Sequence, residues 1–489
     1  MDKESLQGLV RAKLSNYIFV IVSNREPYIH NYSGDKIECI VPASGLTVAL
    51  DPVMRACGGT WIAHGSGSAD NRVADEHNRV RVPPEDPSYT LRRVWLTDDE
   101  VDKYYMGFSN DVLWPLCHIV YQRPKFTTTE WKTYVKVNKI FADAVLDEIG
   151  GRKSFIFIQD YHLTLLSGLI KAGNPQAITA QFWHIPWPNR EAFRICPWQT
   201  EILEGLLGND LLGFHIPYHC HNFLETVDRS LESRINYENS SVKYKNKTTC
   251  VQPFPISVDF DRISAESDRD EVQEEMRAIK ERYHLSDQFI GIGLDRIDYT
   301  KGVPDRLKAL DILLTEYPEY RKKLLFFQLG EPSRIKIDKY RYLNIEIDGL
   351  VEDINRRHQT AGWIPIIYIK EHKPPATITA FHKLANFCVV SSLHDGMNLV
   401  AKEFVSSRND EDGVLILSRF TGAARELEDA LLVNPYSADD LVKAMVTAIK
   451  MPRELRQKRM MKMRSVVREN NIYRWAGDII NSLVKLDRE

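Results

Sequence analysis

Short, uninterrupted apolar runs, each closed by polar or glycine residues, recur along the chain at 17–22, 154–158, 178–183, 289–293, 323–328, 364–369, 387–390 and 413–417. Runs of this kind, without the alternation of a half-exposed strand, mark strands covered on both faces. Between them lie stretches long enough for helices, among them 135–148 and 305–316. Strands alternating with helices predict an α/β fold with doubly wound parallel sheets.

The pattern breaks at 232–249, where Asn, Ser, Lys and Tyr displace aliphatic residues, and Pro253-Phe254-Pro255 restarts the chain. This divides it into domains at 1–255 and 256–460, with a terminal segment at 461–489. A total of 489 residues accommodates two large α/β domains. The stretch 450–468 holds eight basic residues and one acidic one with apolar residues between them, and reads as a solvated helix packed on the body. Seven of the nine tryptophans precede residue 200. They serve equally as large core residues or as faces for sugar rings.

Composition narrows the function. With 64 Lys plus Arg against 67 Asp plus Glu, the net charge is −3, which argues against a nucleic-acid partner. No apolar stretch approaches the length of a membrane span. Met1-Asp2-Lys3-Glu4 does not resemble a secretory signal. Seven scattered cysteines without a C-x-x-C suit a reducing compartment, so a cytoplasmic location is expected.

In parallel sheets, ligands bind beyond the carboxyl ends of the strands, so the polar residues closing each run matter most. One group is Gly293-Leu294-Asp295-Arg296-Ile297-Asp298-Tyr299-Thr300-Lys301-Gly302. Its two cations, Arg296 and Lys301, could bracket a diphosphate, or could equally pair with Asp295 or Asp298 on a surface. Gly291-Ile292-Gly293 begins a dinucleotide fingerprint but lacks the third glycine. A second group, 395–403, follows a strand and opens a helix whose N–H groups could face an anion. Asp395 fits a sugar ligand or a helix cap, and Glu403 a ribose ligand or a surface carboxylate. His215, His219 and His221 have no carboxylate partner at metal-site spacing, and P-loop and G-x-S-x-G strings are absent, so no metal and no cofactor are expected.

Several strings stand in a telling order: Ser23-Asn24-Arg25, Tyr104-Tyr105, Leu113-Trp114-Pro115, Asp160-Tyr161-His162-Leu163, His184-Ile185-Pro186 and Gly205-Leu206-Leu207-Gly208. Asp295–Tyr299 with Lys301-Gly302, Pro332-Ser333-Arg334, Asp395–Leu399 and Gly422-Ala423-Ala424 follow. Over nearly the whole chain, this order resembles the trehalose-6-phosphate synthase family of retaining nucleotide-sugar glycosyltransferases. The resemblance implies two facing Rossmann-like domains (GT-B type) with the active site between them, and a C-terminal helix returning to the first. It implies transfer of glucose from UDP-glucose, or another nucleotide-glucose, to glucose 6-phosphate, with only small molecules as partners. A homo-oligomer is compatible with it.

By the same resemblance, Arg296 and Lys301 hold the donor diphosphate with the loop at Gly45, while His184 and Asp395 hold the transferred glucose. Met397, Asn398, Leu399 and Val400 assist, and Glu403 takes the ribose. Arg25, Tyr105, Trp114 and Arg334 surround the acceptor, and Asp160 fixes its hydroxyls. The family's catalysis is front-face attack, a leaving phosphate oxygen taking the acceptor proton. Asp160, His184, Arg296, Lys301 and Asp395 are the catalytic set. Departures are His64 for an aromatic near the acceptor, Gln159 for a His, His394 for an Arg, Ser44 for a Gly and Ser257 for a Gly. They leave glucosylglycerol-phosphate synthase, which uses glycerol 3-phosphate, and a silent sugar-phosphate sensor as alternatives. The chain is expected to hold no fused phosphatase.

Overall fold

The computed structural model describes residues 1–42 and 45–486. It forms two compact units, Met1–Ile256 joined by Ile472–Glu489, and Ser257–Asn471. Ser44 lies outside the described residues.

The first unit contains β1 (Ile18–Arg25), β2 (Ile29–Ser33), β3 (Lys36–Ile40), β4 (Thr60–His64), β5 (Arg79–Val82) and β6 (Tyr89–Val94). These are followed by β7 (Ser154–Gln159), β8 (Ile178–Phe182), β9 (Leu211–Phe214), β10 (Arg234–Asn236), β11 (Ser241–Tyr244) and β12 (Lys247–Pro253). Ten strands form one sheet in the order β10-β11-β12-β9-β8-β7-β1-β4-β6-β5, and β2 pairs with β3 in a separate hairpin. β1 runs parallel to both β4 and β7, so Phe19–Val22 are covered by helices on both faces and wholly buried. The chain leaves β1 toward β4 and later returns to β7 on its other side. That reversal opens a crevice beyond the carboxyl end of β1.

The second unit contains β13 (Phe289–Ile297), β14 (Leu324–Pro332), β15 (Ile366–Ile369), β16 (Phe387–Val390), β17 (Val414–Ser418) and β18 (Leu431–Val433). Every pair is parallel, in the order β15-β14-β13-β16-β17-β18. Counted within the unit this is 3-2-1-4-5-6, the Rossmann order, whose switch point lies between β13 and β16.

The structure settles two points that the sequence pattern left open and moves one boundary. The polar stretch 232–249, where the apolar pattern breaks, forms the antiparallel meander β10–β12, which continues the first sheet through β9. A break at 460/461 would cut the helix Arg453–Glu469. That helix stays with the second unit because the Arg464 guanidinium donates to the carbonyls of Val405 and Ser406, and the chain crosses back only at Ile472. The tryptophans are mainly core: Trp61, Trp183 and Trp187 are fully buried, and Trp95 is the exposed one. Among the described residues, no helix is long and apolar enough to cross a membrane.

Candidate active site

In the first unit the strand ends around the switch point carry Arg25, His64, Asp160 and His184. Arg25 closes β1 and pairs in register with His64 at the end of β4. Its Nη2 donates to the Tyr105 hydroxyl at 2.8 Å, and the guanidinium lies 6.0 Å from that ring's centroid. Tyr105 sits in a π-helix, Val101–Leu113, anchored where Asn110 Nδ2 donates to the Tyr105 carbonyl. Asn110 Oδ1 in turn accepts from Tyr161 Oη at 2.7 Å. From Tyr105 a ladder of rings continues through His162 and Tyr161 to Trp114, with centroid separations of 5.5, 4.1 and 5.9 Å. The structure therefore links Arg25, Tyr105 and Trp114 through one packed cation-and-aromatic cluster, largely buried beyond Tyr105. The His64 imidazole is held by the Val94 carbonyl, and burial lowers its pKa below the usual histidine value.

Asp160, just past β7, has φ 71° and ψ 179°, a conformation normally left to glycine. Its backbone N–H donates to the Phe182 carbonyl, and its carbonyl accepts from Gln181 Nε2. Oδ1 accepts from the backbone N–H of His184 at 3.2 Å. Neighbouring strand ends thus impose the strain, and strain imposed in this way clusters at functional sites. The His184 ring meets Gln159 Oε1 at 2.9 Å. Burial first, then His215 and His162, push its pKa well below the usual histidine value, so the ring is neutral. Gly45 opens the helix Gly45–Cys57.

The second unit gathers its charges at its own switch point. Lys301, on the turn after β13, holds Asp395, after β16, at 2.6 Å. Ser392 and Asn398 donate to the same Asp395 oxygen. Asp395 does not cap the next helix. Asn398 does, at φ 76°, its side chain accepting from Ala401 N of Leu399–Ser407. That helix and Val303–Glu316 begin four and two residues after Asp395 and Lys301, so two helix N-termini, with their partial positive charge, adjoin that pair. Met397 is buried beneath the loop, its carbonyl tied to Ala423 N. Leu399 and Val400 form the first turn of the helix. Glu403 follows one turn later, half-buried, its pKa raised by burial.

Arg296 is half-buried at the end of β13. Arg334, at φ 50°, donates to Asp298 Oδ2 at 3.2 Å and to Tyr340 Oη at 2.6 Å. Burial raises the Asp298 pKa, but the cations of Arg334, Lys301 and Arg296 outweigh it and hold the group ionised. The structure therefore joins Arg334 to the donor turn, a link absent from the sequence reading. Two further supports escaped that reading. Arg306 is wholly buried and binds Asp295, Gln328 and Ser391, locking β13 to β16. Gln159, noted only as a departure, is the sole hydrogen-bond partner of the His184 ring among the described residues. Among those residues no group of three His, Cys, Asp or Glu could hold a metal ion.

The geometry has counterparts. The model of glycosyltransferase family 20 matches residues 17–485. A trehalose-6-phosphate synthase of Mycobacterium avium is 34% identical over 487 residues, 98% of each chain. A UDP-forming alpha,alpha-trehalose-phosphate synthase from Burkholderia xenovorans, solved with glucose-6-phosphate, superposes with a TM-score of 0.85 at 30% identity, covering 95% of this chain and 99% of its own. A structure from E. coli bound with UDP-2-fluoro glucose gives 0.84 at 29% identity, covering 95% and 98%.

Proposed function

Since this chain belongs to glycosyltransferase family 20, we propose that it transfers glucose from UDP-glucose, or another nucleotide-glucose, to glucose 6-phosphate, giving α,α-trehalose 6-phosphate and the nucleoside diphosphate. The observation that carries this reading is the second unit's switch point, where Arg296, Lys301, Asp395 and two helix N-termini meet beyond β13 and β16.

As the glycosidic bond breaks, negative charge grows on the departing diphosphate, and Arg296 and Lys301 stabilise it electrostatically. In the free protein Lys301 is neutralised by Asp395. A bound diphosphate draws Lys301 away from Asp395 and so frees that carboxylate for hydroxyls of the transferred glucose. Asn398 holds the carboxylate in place. The backbone of Met397, Leu399 and Val400 lines the donor, and Glu403 accepts from the ribose.

On the acceptor, Arg25 presents a planar fork to a dianionic phosphate, and Tyr105 and Trp114 of the same unit cover the sugar. Asp160 orients acceptor hydroxyls, and His184 faces the transferred glucose. The acceptor hydroxyl oxygen bonds to the anomeric carbon on the face the leaving group vacates. Its proton passes to the departing phosphate oxygen, so configuration is retained. The two side-chain cations do the work of a divalent ion, and the reaction is expected to proceed unchanged in excess EDTA.

The test is a matrix of UDP-, ADP- and GDP-glucose against glucose 6-phosphate, fructose 6-phosphate and glycerol 3-phosphate, read by released nucleotide and by product. Trehalose 6-phosphate as the main product supports the reading. Preference for glycerol 3-phosphate, or no turnover with any pair, rejects it.

A further inference from the structure

Gln159 ends β7, wholly buried, one residue before the strained Asp160. Its Oε1 lies 2.9 Å from His184 Nε2, and its own Nε2 faces the Phe157 carbonyl at 3.5 Å. An amide oxygen carries no proton, so the hydrogen between the two side chains belongs to the imidazole. A neutral imidazole has only one N–H. With Nε2 protonated, Nδ1 is left as an acceptor, and it makes no hydrogen bond among the described residues. The ring cannot readily turn away. His184 N donates to Asp160 Oδ1, the His184 carbonyl accepts from His215 Nε2 at 3.0 Å, and Phe182 packs edge-on at 4.7 Å.

We propose that Gln159 is a positioning residue: it holds His184 as the Nε2–H tautomer, so that Nδ1 accepts a hydrogen bond from a hydroxyl of the transferred sugar. This rests on the reading above that His184 faces the glucosyl group. The titratable groups around the ring are Asp160, which meets its backbone N–H, and His215 and His162, whose charged forms disfavour a second proton on His184. Burial acts in the same direction. An uncharged partner such as Gln159 thus keeps the ring neutral, whereas a carboxylate there would draw a second proton onto it and convert Nδ1 from acceptor to donor.

The test uses the full chain labelled with ¹⁵N-histidine, with His184 assigned by comparison with His184→Asn. Long-range ¹H–¹⁵N correlations are expected to show the Nε2–H tautomer in the wild type and its loss in Gln159→Leu. That variant is expected to lower kcat/KM for nucleotide-glucose roughly tenfold, the scale of one hydrogen bond, with the KM for glucose 6-phosphate little changed. Gln159→Glu keeps an acceptor at this position. Its activity is expected to rise with pH across about pH 6–8, where the wild type is flat. A wild type carrying the proton on Nδ1, or a Gln159→Leu protein with unchanged tautomer and kinetics, overturns the proposal. A wild type with the Nε2–H tautomer but no glucosyl transfer overturns the assigned activity instead, because the tautomer is read without substrate.

Discussion

Lys301 shows how one residue's surroundings fix its role. A lysine on an open turn would be a mobile charge, but here Asp395 holds it at 2.6 Å beside two helix N-termini. Lys301→Ala and Arg296→Ala are each expected to lower turnover by about 10²–10³ with thermal melting nearly unchanged, and wild-type rates in both would refute the diphosphate assignment. A second residue-scale consequence lies next to Arg25. Glu26 is buried, and its carboxylate binds Arg93 at 2.8 Å and the Ser66 N–H. Arg93 also binds Asp70 at 2.8 Å, so one guanidinium faces two carboxylates. Asp70 takes two backbone N–H groups and stays ionised, leaving Glu26 to keep a proton. Burial first, then Asp70, push Glu26 from 4.5 up to about 8. Between those two values the folded chain holds a proton that the unfolded chain has released. Stability therefore falls as pH rises through that window, by at most about 1.4 kcal/mol per pH unit. Urea unfolding of Glu26→Gln against wild type between pH 5 and 8 is expected to show a flatter profile in the variant. Parallel profiles would mean that Glu26 is ionised throughout.

At the scale of elements, the donor turn depends on how closely β13 and β16 approach. Gly302 has φ 62°, and a Cβ there would press into the Ser391 carbonyl oxygen. Gly302→Ala combines backbone strain with a backbone clash, and its relief must part Lys301 from Asp395. Activity is expected to fall at least tenfold together with a loss of about 1–3 kcal/mol in urea unfolding; an unchanged rate would show that the spacing is immaterial. The same elements show what a sequence can display. β1, β7, β8, β13, β14, β16 and β17 were legible because central parallel strands are apolar on both faces. β3 was not, since all five of its residues are exposed, nor was the meander β10–β12, whose polar edge resembles a loop. The π-helix carrying Tyr105 leaves no mark in a 3.6-residue pattern. Charged strand-end residues stood out in the sequence as a group, but their partners did not. Arg334–Asp298, Lys301–Asp395 and Gln159–His184 join positions 36, 94 and 25 residues apart, pairings set only by the winding of the sheets. The positive φ of Asp160, Arg334 and Asn398 was equally invisible, because strain there is imposed by neighbours rather than by residue type.

At the scale of the whole molecule, the chain's last helix, Ile472–Leu486, belongs to the unit built from the chain's beginning. Its apolar face, including Trp475, Ile479, Ile480 and Leu483, is buried. Trp475 packs on Phe157 of β7 at 5.7 Å and edge-on to Phe182 of β8 at 5.1 Å, and its indole N–H donates to the Phe254 carbonyl. The two strands run parallel and lead into Asp160 and His184 at their shared carboxyl end, where Gln159 closes β7, so the returning helix supports the sheet that aims all three. The first 256 residues are therefore an incomplete unit, lacking one wall of their core. Trp475→Ala leaves a cavity against β7 and β8 and is expected to cost about 3–5 kcal/mol. The loss should appear as earlier urea unfolding reported by residues of the first unit, with hydrogen exchange in β13–β16 of the second unit unchanged. Donor-side binding, measured with UDP alone, should persist, while transfer to glucose 6-phosphate weakens through the displaced Asp160. Equal destabilisation of both units would show instead that they unfold as one cooperative body, and normal stability would show that the indole is replaceable at this wall.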